Sequence, residues 1–336
     1  MKITIYEVAK RAGVSISTAS KALNDKKDVG ESTKQRVREI AKELSYEPSH
    51  FARALARRKT DNIGVITVRY YKEPMITNPF YAKIMEGIEE ELINNNLNLL
   101  NNILRKEQMD SLDIPKMVKE KNVDGIILLG HMPEPFVRMV SDKGLPVVMI
   151  DNYFDNANIS TVIADNIGGA FYAVEYIIRT GHKKIAYLAG LPERYSFKQR
   201  EQGFRQAMKK YNLPIDERFV IFNEKDDQTL DWTKKILSYE TKPDAIFCCN
   251  DITALLAINM LKDSGLRVPD DVSVMGFDNI DIAEHFIPSI STVDLKKQDM
   301  GIIAARKLIN TINQKDTAIE NIVFPTTLII RDSTKK

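Results

Sequence analysis

The chain is 336 residues long, 43% hydrophobic and 28% charged, with a net charge of +2. Its apolar content suffices for ordinary buried cores, and its length suits two or three domains. No apolar run reaches the roughly 18–20 residues of a membrane helix, and Cys248 and Cys249 adjoin without metal-ligand spacing, so the expectation is a cytoplasmic protein that holds no metal and contacts no membrane.

The first 60 residues carry 14 Lys and Arg against 7 Asp and Glu, a local charge of +7 that leaves −5 for the rest. Excess positive charge at one end suits phosphate neutralisation. Thr4 and Glu7 have the spacing of a capping box, so a helix is expected to begin near Ile5, with Val8 and Ala12 on its apolar face and Gly13 ending it. Ser15 can cap a second helix in which Thr18, Ala19, Ala22 and Leu23 face inward while Ile16, Ser17 and Lys21 face outward. Two short helices about a tight turn, the second bearing short polar side chains and a lysine, have the helix-turn-helix form that enters the major groove. A third helix follows, and then EPSHFARALARRK, a short basic helix with one exposed leucine.

From Asn62 the rhythm changes. Nearly continuous apolar runs recur at 63–68, 123–129, 145–150, 184–190, 244–249 and 272–277, and helical stretches such as 80–95, 167–180, 200–211 and 252–264 lie between most of them. Strands apolar on both faces that alternate with helices indicate parallel sheets of an α/β architecture. There are too many strands for one compact open sheet, so two Rossmann-like lobes are expected, with ligand at the carboxyl ends of their strands. No GxGxxG or Walker A pattern occurs, and His50, His131, His182 and His285 are scattered without a nucleophile–base pair. An enzyme is therefore not expected, and neither is a bound cofactor.

Taken in order, TIYEVAKRAGVSISTASKALN, YEPSHFARALARRKTDNIGV, NPFYAKIMEGIE, TGHKKIAYLAG, KPDAIFCCNDITAL, GLRVPDDVSVMGFDNI and LIIRDS make the whole chain resemble the LacI/GalR family of bacterial repressors. The resemblance implies a helix-turn-helix headpiece over 1–47, a hinge helix and linker over 48–60, and a bilobed, periplasmic-binding-protein-like core over 61–336. The N-lobe would span about 61–161 and 293–323, and the C-lobe about 162–292 and 324–336. It further implies a homodimer on a pseudo-palindromic double-stranded operator, without the tetramer-forming tail of some members. Segments 80–95 and 300–313 would contribute to the dimer interface.

The same resemblance assigns roles. Ile16, Ser17 and Lys21 would contact bases, with lysine where arginine is commoner. Tyr6, Ser15, Thr18, Asn24 and Thr33 would touch the DNA backbone, although capping or packing would also account for Thr18 and Asn24. Ala52 and Leu55 of the hinge would enter the minor groove, Leu55 as a wedge; Ser49 stands where asparagine is usual. Phe80, Tyr81, Asp165, Arg194, Ser196, Arg200, Asn250 and Asp278 would bind a small-molecule effector, a mono- or disaccharide. Asp251 reads as a helix cap, and Asp278 could instead brace a loop. Glu224 falls where many members stack an aromatic residue, and Trp232 is either that residue displaced or core. The resemblance leaves open induction or corepression, and also a global catabolite regulator with a phosphorylated protein corepressor or a purine-type corepressed repressor.

Overall fold

The computed structural model describes residues 3–46, 59–69, 78–155, 157–222 and 232–336, and the chain divides into compact units at 1–61 and 62–336. In the first unit α1 (Ile5–Ala12), α2 (Ile16–Leu23) and α3 (Glu31–Glu43) close on a small core of Val8, Ala9, Ala12, Ala19, Ala22, Val29, Val37 and Ala41. Alanine at five of these positions lets the backbones approach closely. The expected caps are present. The Thr4 amide donates to the Glu7 carboxylate at 2.7 Å, Gly13 takes the left-handed conformation at φ 66°, and Ser15 Oγ accepts from the Thr18 amide at 3.0 Å.

The second unit contains two parallel sheets. Strands β1 (Asn62–Arg69), β2 (Asn98–Arg105), β3 (Gly125–Leu129), β4 (Val147–Ile150) and β5 (Ser160–Ala164) join β11 (Asn321–Phe324) in the order β11-β5-β4-β3-β1-β2. Strands β6 (Ile185–Ala189), β7 (Val220–Phe222), β8 (Ala245–Cys248) and β9 (Ser273–Met275) form the other sheet, ordered β7-β6-β8-β9. β10 (Thr292–Asp294) pairs antiparallel with β12 (Thr327–Ile329). Helices relevant to the site are α4 (Pro79–Asn94), α5 (Glu134–Ser141), α6 (Asn166–Arg179), α7 (Tyr195–Lys210), α8 (Asp251–Asp263) and α9 (Lys297–Ile312).

The first sheet extends further than the expected lobe boundaries. β5 continues to Ala164 and β11 to Phe324, whereas Thr292–Asp294 pairs outside that sheet. Ser160–Ala164 and Asn321–Phe324 thus belong to the first sheet and Thr292–Asp294 does not. Backbone pairing, not apolar patterning, sets these ends.

Two packing features position the site. In the first lobe α4 and α9 touch through glycine, since a side chain on Gly87 would overlap the Gln298 carbonyl and one on Gly301 the Ile84 carbonyl. In the second lobe Tyr187 stacks with Phe204 at 5.3 Å and Phe247 at 5.4 Å, and Phe247 meets the edge of Phe277 at 6.4 Å. That aromatic column runs through the core to the strand ends.

Candidate nucleic-acid interface and effector cleft

On the headpiece, Ile16, Ser17 and Lys21 are all exposed on α2, Tyr6 is exposed on α1 and Ser15 at the cap of α2, while Thr18, Asn24 and Thr33 are half-buried. An isoleucine exposed to 49% and a tyrosine exposed to 59% on so small a domain lack the burial their apolar surface favours. Lys21 Nζ donates to Asp28 at 2.5 Å. Thr18 shares a hydroxyl hydrogen bond with Ser15 at 2.8 Å, and Asn24 Nδ2 donates to the Ser20 carbonyl at 2.9 Å. Thr18 and Asn24 thus have structural uses at the two ends of α2. Ala52 and Leu55 lie outside the described residues, as does Glu224; Trp232 opens a helix, Trp232–Leu237.

In the second unit the strand ends of both sheets carry polar groups. Arg200, 2% exposed, is the hub on the second lobe. Its Nε donates to Asn166 Oδ1 at 2.9 Å, one terminal nitrogen donates to the Cys249 carbonyl, and the other meets Asp278 Oδ1 at 2.9 Å. The guanidinium also lies 3.9 Å from the Phe277 ring centroid. Burial pushes the Asp278 carboxyl up to about 6, against the opposing pull of Arg200 and Lys297.

Asp278 has φ 105°, a backbone conformation that costs a non-glycine residue about 1–3 kcal/mol. The neighbouring chain holds it there. The Asp278 amide donates to the Val293 carbonyl at 2.9 Å, and Lys297 Nζ donates to the carbonyls of Asp278 at 2.5 Å and Asn279 at 3.0 Å. Asp251 braces the same loop, accepting from the Ile280 amide at 2.9 Å and from Thr292 Oγ1 at 2.5 Å. Its carboxyl is pushed up to about 7, by burial first and by Asp278 second. This corrects the expectation that Asp251 caps a helix: Asn250 is the cap of α8, accepting from the Thr253 amide at 2.8 Å, and Asp251 points into the core.

From the first lobe, Tyr81 at the start of α4 donates its hydroxyl to Asp151 Oδ2 at 2.7 Å. Both are buried, and desolvation raises both pKa values. Arg200 and Arg194 of the other lobe oppose that rise at Asp151, and the Tyr153 and Tyr195 rings approach to 5.5 Å. The two sets of strand ends therefore face each other. Burial and the charge of Arg194 hold His131 neutral, with its pKa down to about 4. Arg194 lies 5.4 Å from the Phe197 ring.

The expected cleft residues Tyr81, Arg194, Ser196, Arg200 and Asp278 thus converge. Phe80 is buried edge-on to Tyr81 at 4.9 Å. Asp165 gives its carboxylate to the Gly168 amide at 2.8 Å as the cap of α6, and it is the next residue, Asn166, that reaches Arg200. Sequence reasoning also missed Asp151, His131, Phe277 and Lys297. Asp151 had a readable signal, because it follows LPVVMI as Asp278 follows VSVMGF. Among the described residues no cluster of metal-ligating side chains occurs, and no helix is long and apolar enough to cross a membrane.

Residues 4–49 match the family described as bacterial regulatory proteins, lacI family, and residues 174–334 match the periplasmic binding protein-like domain. The probable HTH-type transcriptional repressor ExuR of Bacillus subtilis (strain 168) is 31% identical over 341 residues, covering 99% of both chains. The chain belongs to the lacI family. Catabolite control protein A of Priestia megaterium is 32% identical over 338 residues, with 100% of each chain covered. Among solved structures, a transcriptional regulator CelR–cellobiose complex shares 30% identity and a TM-score of 0.75, covering 98% of this chain and 99% of that one. The lac repressor dimer bound to operator and the anti-inducer ONPF superposes with a TM-score of 0.82 over the whole of both chains, at 23% identity, and so supports the fold. As a lacI-family member the chain is a DNA-binding transcriptional regulator and not an enzyme.

Proposed function

We propose that this regulator represses carbohydrate-utilisation genes from the cytoplasm, as a homodimer on a pseudo-palindromic operator, under control of a sugar held between the lobes. The carrying observation is the Arg200 hub. A fully buried guanidinium held against Asp278 and Asn166, with its charge felt at Asp151 of the Tyr81–Asp151 pair, supplies paired donors and acceptors for hydroxyl groups. A CelR–cellobiose complex among the similar structures supports a sugar as the class.

In this reading Ile16, Ser17 and Lys21 contact bases, and Tyr6, Ser15, Thr18, Asn24 and Thr33 contact the backbone. Ala52 and Leu55 take the minor-groove role on the strength of the family resemblance. Effector can change operator affinity only through unequal affinity for two lobe arrangements. A thermal-shift screen of mono- and disaccharides, sugar phosphates and purines tests the reading. A sugar should raise the melting temperature by linkage and then alter operator binding in a direct assay, which gives the sign of control. Stabilisation by purines alone would favour a purine-type corepressed repressor; the HTH-type transcriptional repressor PurR of Vibrio vulnificus (strain CMCP6) is 32% identical to this chain. A panel without effect would favour a protein corepressor, the alternative associated with the catabolite control protein A likeness.

A further inference from the structure

We propose that Asp28 is a specificity-determining residue of the headpiece, which holds Lys21 as an oriented donor on the outer face of α2 and keeps it off phosphate. The inference rests on the reading that α2 presents Lys21 to bases. Lys21 lies in the last turn of α2 with its side chain 48% exposed, and Asp28 lies in the turn before α3 with its side chain 56% exposed. Their 2.5 Å contact places a carboxylate on the very face that must approach a polyanion.

The other acid of that turn is differently employed. Asp25 pairs with Lys34 at 3.1 Å and Arg38 at 2.7 Å, both on α3, so it joins the turn to the third helix. Asp28 instead hydrogen-bonds a side chain of the reading helix. An acid there opposes phosphate binding, and non-specific association consists almost wholly of phosphate contacts. On such DNA the pair neutralises the one charge Lys21 could contribute.

At a cognate base the balance differs. A lysine ammonium has three N–H donors on a flexible four-carbon stem, without the fixed fork of arginine. With one donor committed to Asp28, the remaining two are oriented together and can address the O6 and N7 acceptors of guanine. Asp28 thereby gives Lys21 some of the directionality that an arginine would carry in its own geometry. The carboxylate costs affinity everywhere and returns part of it only where base acceptors are in place.

The test compares full-length wild type, Asp28→Ala, Lys21→Ala and the double variant. The probes are an operator selected by the wild type from a random duplex library, and sheared genomic DNA as the non-specific competitor. Asp28→Ala should lower the ratio of operator to non-specific affinity about 1.4-fold to fivefold per headpiece, the range of an exposed ion pair. It should also steepen the salt dependence on non-specific DNA by about one phosphate contact per headpiece, because Lys21 is released to the backbone. In the Lys21→Ala background the same substitution should leave the ratio unchanged. An unchanged ratio in the single variant, or an equal fall without Lys21, would overturn the role of Asp28. If Lys21→Ala leaves the selected operator's base preference intact, the reading of α2 fails first, and the inference with it.

Discussion

Arg200→Met is the perturbation that most directly probes the cleft, because the structure shows what the guanidinium leaves behind. Methionine keeps an apolar stem over Phe277 but removes the bonds to Asn166 and the Cys249 carbonyl and the charge beside Asp278. Removing one partner of a buried ion pair costs about 3–5 kcal/mol, because the other charge stays buried and uncompensated. Asp278 has an escape. Its carboxyl already sits at about 6 with Arg200 present, and Arg200 is the largest influence holding it down. Without the arginine it should stay protonated beyond neutral pH.

The sign of the pH dependence follows. A carboxyl with a folded-state pKa above its unfolded value contributes stability that is complete at pH below about 4 and is lost as pH rises through the folded pKa. In wild type that loss ends just above 6. In Arg200→Met it continues upward, so the difference between the two proteins should grow by about 1.4 kcal/mol per pH unit from pH 6 to the variant's new pKa. Urea unfolding followed by circular dichroism at pH 5.5, 7 and 8.5 measures it. The cost should be about 1–2 kcal/mol at pH 5.5, where chiefly hydrogen bonds are lost, and should approach the upper range at pH 8.5. Adding Asp278→Asn to Arg200→Met should flatten the profile. A cost that is the same at all three pH values would refute the buried-charge argument, and a cost below about 1 kcal/mol throughout would refute the hub itself.

Two further substitutions address the frame around that site. Tyr81→Phe removes the hydroxyl donated to Asp151 at 2.7 Å and should destabilise by about 1–3 kcal/mol, more at pH 8 than at pH 5, since the Asp151 carboxyl is then driven higher still; thermal unfolding at the two pH values checks this. Gly301→Ala places a methyl against the Ile84 carbonyl where α4 and α9 touch and should cost about 1–3 kcal/mol by overpacking, with secondary structure retained by circular dichroism and the loss read from the urea midpoint.

What was legible in the sequence depends on whether its physics is local. The headpiece could be read almost residue by residue, because capping boxes, a left-handed glycine and a 3.6-residue apolar stripe act within one turn of themselves. The central strands were equally plain, since β1, β3, β4, β6 and β8 are buried on both faces and show as unbroken apolar runs. The edge strand β2 was not, because Asn98–Arg105 has one partner, mixes asparagine with leucine, and is largely solvent-facing. β10, β11 and β12 are three or four residues long and acquire their identity from partners more than 30 residues away.

The same distinction separates the site residues. Arg200 and Asp278 were marked by motif, but the groups that fix them were not. Asn166 was overlooked in favour of Asp165 because a carboxylate is the more conspicuous sugar ligand, yet Asp165 sits where its oxygen satisfies an orphan amide at the start of α6. Asn166, one position on, falls a third of a turn round the helix and faces Arg200. Asp251 was read as a cap and Asn250 as an effector ligand, yet it is Asn250 whose side chain accepts from the Thr253 amide and fills the cap. With the cap taken, the buried Asp251 carboxylate is satisfied by the Ile280 amide of the loop that carries Asp278 and by the Thr292 hydroxyl. In both pairs the residue that capped its helix freed its neighbour for another partner, Asn166 for Arg200 and Asp251 for the loop behind Asp278, and only the three-dimensional donor count shows which is which.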